Sequence, residues 1–160
     1  MKNLVRVAAF AVCTALAAPV GAQDFDAGLA AAQAGDFTTA LENWRPLAEQ
    51  GNVPAQVNLG IMYYYGDGVL QDYAEAARWL RPGAEQGFAR AQVFLGLMYY
   101  HGDGVLQDYA EAVRWYRLAA EQGYGVAQNN LALMYDNGLG VPQDYVSAHM
   151  WYNIASANGH

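Results

Sequence analysis

The sequence predicts an all-α solenoid, a stack of antiparallel helix pairs with one pair every 36 residues. Three observations point there. Residues recur at that spacing: Asp36, Asp72, Asp108 and Asp144; Gly51, Gly87, Gly123 and Gly159; Ala55, Ala91 and Ala127; Leu59, Leu95 and Leu131; Tyr63, Tyr99 and Tyr135; Trp79, Trp115 and Trp151. Within a unit, apolar residues recur at helical intervals. Glycines and an aspartate then interrupt each unit at the same places. A fixed period of this size marks repeats that cannot bury an apolar face alone and must stack.

The first element, residues 1–22, reads as a signal peptide cleaved after Ala22. Lys2 and Arg6 begin it, Val7 to Ala18 form the apolar stretch, and Val20-Gly21-Ala22 offers the small residues of a cut site. The run is too short to span a bilayer. Cys13 lies inside it, so the mature chain carries no cysteine and is held by packing alone. The expected location is periplasmic or secreted, with no stable membrane insertion.

Residues 23–51 follow as an N-terminal capping helix pair. Asp24 to Ala34 gives one short helix and Phe37 to Gln50 its partner, without the Gly-Asp-Gly loop of later units. Three full units come next, at 52–87, 88–123 and 124–160. In the first, Ala55, Leu59 and Tyr63 share a helix face, and Pro54 sits in the opening turn, where its missing N–H costs nothing. Gly66 and Gly68 break that helix. Asp72 is the expected N-cap of the second helix, with Glu75 completing a capping-box-like pattern. Pro46 and Pro82 fall inside the second helices of their units, where Leu118 and Ile154 stand later. A bend or early end is therefore expected in the first two.

Charge excludes some partners. With Lys2 and Arg6 gone, six arginines face 15 acidic residues, a net charge of −9. Nucleic acids and anionic membranes need the opposite balance. Catalytic and metal sets do not assemble from the sequence either. His101, His149 and His160 are scattered. Ser147 and His149 lie on opposite sides of a helix. Asp67 and Asp103 sit in turns without the alternating oxygen ligands of a calcium loop. No enzyme activity, cofactor or metal is expected.

The stretches AQVNLGIMYYYGDGVLQDYAEAARWL, AQVFLGLMYYHGDGVLQDYAEAVRWYRLAAEQG and AQNNLALMYDNGLGVPQDYVSAHMWYNIASANG resemble the Sel1-like repeat family over residues 52–159. Ala132 and Ser156 depart from the family pattern, each small for small. The resemblance implies a right-handed α/α solenoid, cousin to the tetratricopeptide repeats and used as a scaffold for protein–protein contacts. Cysteine-rich relatives have been tied to penicillin binding and β-lactam hydrolysis. Their disulfide per unit is absent here, and that activity is not carried over.

By analogy with tetratricopeptide proteins, a second stripe on each first helix lines a concave partner-binding groove. It holds Val57, Ile61, Tyr64 and Tyr65, then Arg90, Val93, Leu97, Tyr100 and His101, then Asn129, Leu133 and Asp136. Tyrosine, arginine and aliphatic residues are the mixture enriched at contact surfaces. Tyr64, Tyr100 and Arg90 are expected to serve binding with little role in stability. The expected function is an exported scaffold that binds a peptide or protein segment in this groove. A cell-envelope enzyme, or a carbohydrate- or peptidoglycan-binding module, is the alternative that the many tyrosines keep open. The last helix, about Tyr145 to Ala157, carries Tyr145, Met150, Trp151, Tyr152 and Ile154 and no charged residue, so it is expected to be covered by a partner or by a second copy in a dimer.

Overall fold

A computed structural model describes residues 24–158 and resolves them as eight helices: α1 (Phe25–Gln33), α2 (Phe37–Glu49), α3 (Val53–Tyr65), α4 (Tyr73–Glu85), α5 (Ala89–His101), α6 (Tyr109–Glu121), α7 (Gly125–Asn137) and α8 (Tyr145–Ala157). The cleavable leader read at residues 1–22 lies outside the described residues. Each helix packs chiefly on its neighbours in the chain, giving four antiparallel pairs in a row. The fold class is the all-α, α/α solenoid with 36-residue repeats.

Second helices start alike. Asp36, Asp72, Asp108 and Asp144 each accept a backbone N–H of the first turn. The capping box is only half formed. Asp72 accepts from Glu75 N at 3.0 Å, but its own N–H donates to the Tyr63 carbonyl, and the Glu75 carboxylate turns to Arg78 at 2.7 Å. First helices end alike too, on Gly66, Gly102 and Gly138 in the left-handed conformation that glycine adopts without strain.

The two inner prolines do not shorten their helices. α2 and α4 run the same thirteen residues as α6 and α8, with Pro46 and Pro82 inside them. Each proline lies in the last turns, where only one intrahelical donor is lost and neighbouring pairs clamp both sides.

The core is three clusters strung along the stack. One, around Trp44, Ala55, Leu59 and Met62, joins the first two pairs. Leu80, Phe94, Leu95, Met98 and Trp115 anchor the second. Val113, Tyr116, Leu131 and Met134 anchor the third. Close helix approach depends on a missing side chain. A Cβ on Gly60 would lie 2.7 Å from Leu80 Cγ, and one on Gly96 would lie 2.5 Å from Tyr116 Cε1. Ala132 takes this place in the last unit, and its counterpart of Tyr116, Tyr152, stands 36% exposed.

Polar ties repeat between pairs. Arg45, Arg81 and Arg117 each donate to the hydroxyl of the tyrosine in the next first helix, Tyr63, Tyr99 and Tyr135. Gln56, Gln92 and Gln128 each donate to a carbonyl near the end of the preceding second helix, Ala48, Ala84 and Ala120. Each of those carbonyls also accepts the N–H of the glycine that follows its helix, Gly51, Gly87 or Gly123, and the glutamine adds a second bond from the next pair. In α8 the arginine position is Asn153. The outer face of that helix leaves Tyr145, Val146 and Met150 exposed, while Ala148 and Ala155 turn inward.

Candidate partner-binding groove

The first helices α3 and α5 touch directly, and no two second helices approach as closely. The stack therefore closes toward its first helices, which form the inner side. A first helix in this position is sandwiched. α3 packs on α2 before it and α4 after it, and on α5 across the inner face. Two of its sides are core, leaving only a narrow strip uncovered.

Two hollows open on that strip. The first, about 250 Å³, lies between α1 and α3, with Leu29, Trp44, Asn58, Ile61 and Met62 on its walls together with the polar Gln33, Asp67 and Arg90. The second, about 200 Å³, lies between α5 and α7, where His101, Tyr116, Asn130, Leu133 and Met134 line it beside Leu97 and Tyr100. The two are one site seen twice. Leu29 and His101, Trp44 and Tyr116, Asn58 and Asn130, Ile61 and Leu133, and Met62 and Met134 are each separated by two periods of the sequence.

The gap between them, from α3 to α5, is filled. There the position of Asn58 and Asn130 is Phe94, which is buried, with its ring 5.1 Å from that of Tyr64 and 5.8 Å from that of Tyr65. Burial, and then the Asp103 carboxylate, hold the Tyr64 phenol above its ordinary pKa. Burial does the same to Tyr116. Neither tyrosine is poised for acid–base work near neutrality.

The twelve residues of the sequence stripe thus divide. Ile61 and Arg90 border the first hollow, and Leu97, Tyr100, His101 and Leu133 the second. Tyr64 and Tyr65 pack on the plug. Val57 and Val93 are buried at 4% exposure, in the core that joins successive pairs, and present no partner surface. Tyr64 is half-buried against Phe94 and Tyr73, and Tyr100 against Tyr109, so both also support the fold. Asn129 and Asp136 stand half-buried on α7, with Asp136 raising the pKa of Tyr152 after burial.

A family model for the Sel1 repeat matches residues 53–88, 89–124 and 125–160. The chain belongs to the Sel1 repeat family. It is similar to the crystal structure of a protective antigen present in uropathogenic Escherichia coli strains and displaying an SLR fold, at 42% identity and a TM-score of 0.80, over 88% of this chain and 31% of that one. It is also similar to a Sel1 repeat protein from Oxalobacter formigenes, at 34% identity and a TM-score of 0.79, over 85% of this chain and 56% of the other. The chain thus spans about a third and just over half of those two proteins. Comparison with curated proteins returns no match.

Within these Sel1 repeats the hollows are lined by an invariant methionine, Met62 or Met134, and by positions that differ between units. Asn58, Phe94 and Asn130 escaped the sequence reading because each precedes a repeated core leucine, Leu59, Leu95 or Leu131. Their signal was variation, Asn, Phe, Asn, beside an invariant neighbour. Asn58 Oδ1 accepts from Arg90 at 3.3 Å, whereas the side-chain amide of Asn130 makes no hydrogen bond among the described residues. Asp67, Asp103 and Asp136 lie at the C-terminal ends of α3, α5 and α7. None is in an ion pair, since the two pairs among the described residues are Glu75–Arg78 and Glu111–Arg114 on second helices. Among the described residues, no helix is long and apolar enough to cross a membrane, and no three His, Cys, Asp or Glu side chains are placed to share a metal.

Proposed function

We propose that this Sel1 repeat protein is an exported, non-catalytic scaffold that holds a peptide or protein segment along the inner face of its stack. The observation that carries the reading is the inner strip itself. Exposed Tyr65, His101 and Leu133 flank two hollows on a side where backbone helices leave little else to contact. Large, partly exposed apolar groups around concave pockets are what binding sites use. A sugar-stacking role finds less support, because the rings of Tyr64, Tyr65 and Phe94 meet edge-on at 76–89° and offer no shared flat platform.

Export is proposed from the leader, and mass spectrometry of the protein recovered from outside the cytoplasm tests it. An N-terminus at Gln23 is the expected result, and an intact leader refutes it. The groove is tested by affinity capture from envelope extract with wild-type protein and with Tyr65→Ala/Leu133→Ser. Partners held by the first and released by the second support the reading; equal capture by both sinks it. A second surface is proposed at α8, where Tyr145, Val146 and Met150 are exposed on a helix without charged side chains. Two copies can meet there without like-charge repulsion between the helices. Sedimentation across a concentration series should show a dimer that Met150→Glu abolishes; a monomer throughout excludes it.

A further inference from the structure

Resting on the groove reading, we infer that the partner is an extended peptide segment with two large uncharged side chains about six residues apart, one in each asparagine-lined hollow, and a basic side chain between them. The spacing follows from the fold. Packed helices lie on the order of 10 Å apart, so the hollows, two first-helix steps from each other, are separated by about 20 Å. An extended chain advances roughly 3.3 Å per residue, which makes that distance about six residues. Each hollow has apolar walls and an asparagine amide at the same repeat position, Asn58 or Asn130, with Gln33 also on the wall of the first. An amide offers both a donor and an acceptor, which suits the peptide backbone on either side of an anchoring side chain. The hollow at Asn130 contains no carboxylate and no arginine, so a charged anchor would lose its hydration there without compensation.

The charge of the partner follows from the rim. Asp67, Asp103 and Asp136 are unpaired at matching ends of three successive first helices, where the helix dipole adds negative potential. Against them the first helices carry one arginine, Arg90, already held by Asn58. Between the hollows the Phe94 plug closes the floor, so the middle of the peptide passes over it and its long side chains reach the rim at Asp103.

The molecule supplies its own control. Phe94 shows that phenylalanine is accommodated at this repeat position, so Asn130→Phe should fold normally while filling the second hollow. Peptides selected from a displayed random library on the wild-type protein should share two large apolar residues at the stated spacing and a lysine or arginine between. Their affinity should fall about tenfold or more on Asn130→Phe, with unchanged circular dichroism and Tm. Selection on Phe94→Asn, which opens the middle hollow, should enrich anchors at half the spacing. Binders that resist Asn130→Phe but weaken with Tyr65→Ala overturn the pocket assignment and leave the groove reading standing. Binders indifferent to both overturn both. A library that yields acidic or anchor-free sequences, or none, overturns the inference as well.

Discussion

Gly96→Ala tests the tightest joint in the stack. The substitution adds a methyl group on α5 that would lie 2.5, 2.6 and 3.1 Å from three carbons of the Tyr116 ring. Ordinary contact starts nearly 1 Å farther out, and the ring is 1% exposed, so it cannot swing into solvent. Two terms compete. Alanine in place of glycine within a helix gains about 1 kcal/mol of propensity. Overpacking a fixed core costs about 1–3 kcal/mol and sometimes more. Because the obstruction is a rigid ring and three atoms are involved, the cost belongs at or beyond the upper end, for a net loss of about 1–2 kcal/mol. Urea unfolding followed by far-UV circular dichroism measures it. In a double-mutant cycle with Tyr116→Ala, the pair should lose at least about 1 kcal/mol less than the sum of the singles. A Gly96→Ala protein more stable than wild type would show that the ring yields freely, and the close-approach reasoning would be wrong.

Leu95→Ala should cost about 2–5 kcal/mol, since Leu95 is fully buried, whereas Tyr65→Ala at 58% exposure should stay within about 0.5 kcal/mol; thermal unfolding of both distinguishes core from groove. Gln128→Leu should cost about 0.5–1.5 kcal/mol, because it removes one buried bond, from Gln128 Nε2 to the Ala120 carbonyl at 3.1 Å, while that carbonyl keeps the Gly123 N–H at 2.9 Å; a loss of several kcal/mol would mean the glutamine is the carbonyl's essential partner. Acidification should loosen α8. Asp144 is held below its ordinary value of 3.8, first by the Ser147 hydroxyl at 2.6 Å and then by backbone N–H groups. A carboxylate lowered on folding contributes above its unfolded pKa and loses that contribution as pH falls through the folded one. Helicity should therefore fall on going below about pH 4, less so in Asp144→Asn, and amide exchange of α8 against pH reports it.

The fold was legible because its punctuation repeats. Asp36, Asp72, Asp108 and Asp144 cap helices wherever they occur, and Gly66, Gly102 and Gly138 end them. The groove was legible only in part. A stripe drawn at helical spacing assumes one buried side and one free side, as a surface helix has. The first helices have two buried sides, so Val57 and Val93 fell into the stripe although each packs between pairs. Asn58, Phe94 and Asn130 lie one residue before the core leucines and read as shoulder positions. Only their neighbours across the gap, such as Tyr64 and Tyr65 for Phe94, show which of them fills space and which leaves it. The early end expected at Pro46 and Pro82 failed to appear for a related reason, since helix length is fixed here by the pairs on either side and less by the helix's own bonds.

The arginine-to-tyrosine ties each span 18 residues, and the glutamine ties span eight. Nothing in this scheme binds the first pair to the last. Pulled from its ends, such a molecule yields one pair at a time and re-forms by adding one pair to a standing neighbour. It behaves as a spring with few coils, each tied to the one before it by the same two bonds. A ligand lying across several coils would stiffen that spring, so occupancy of the inner face becomes readable as resistance to stretch.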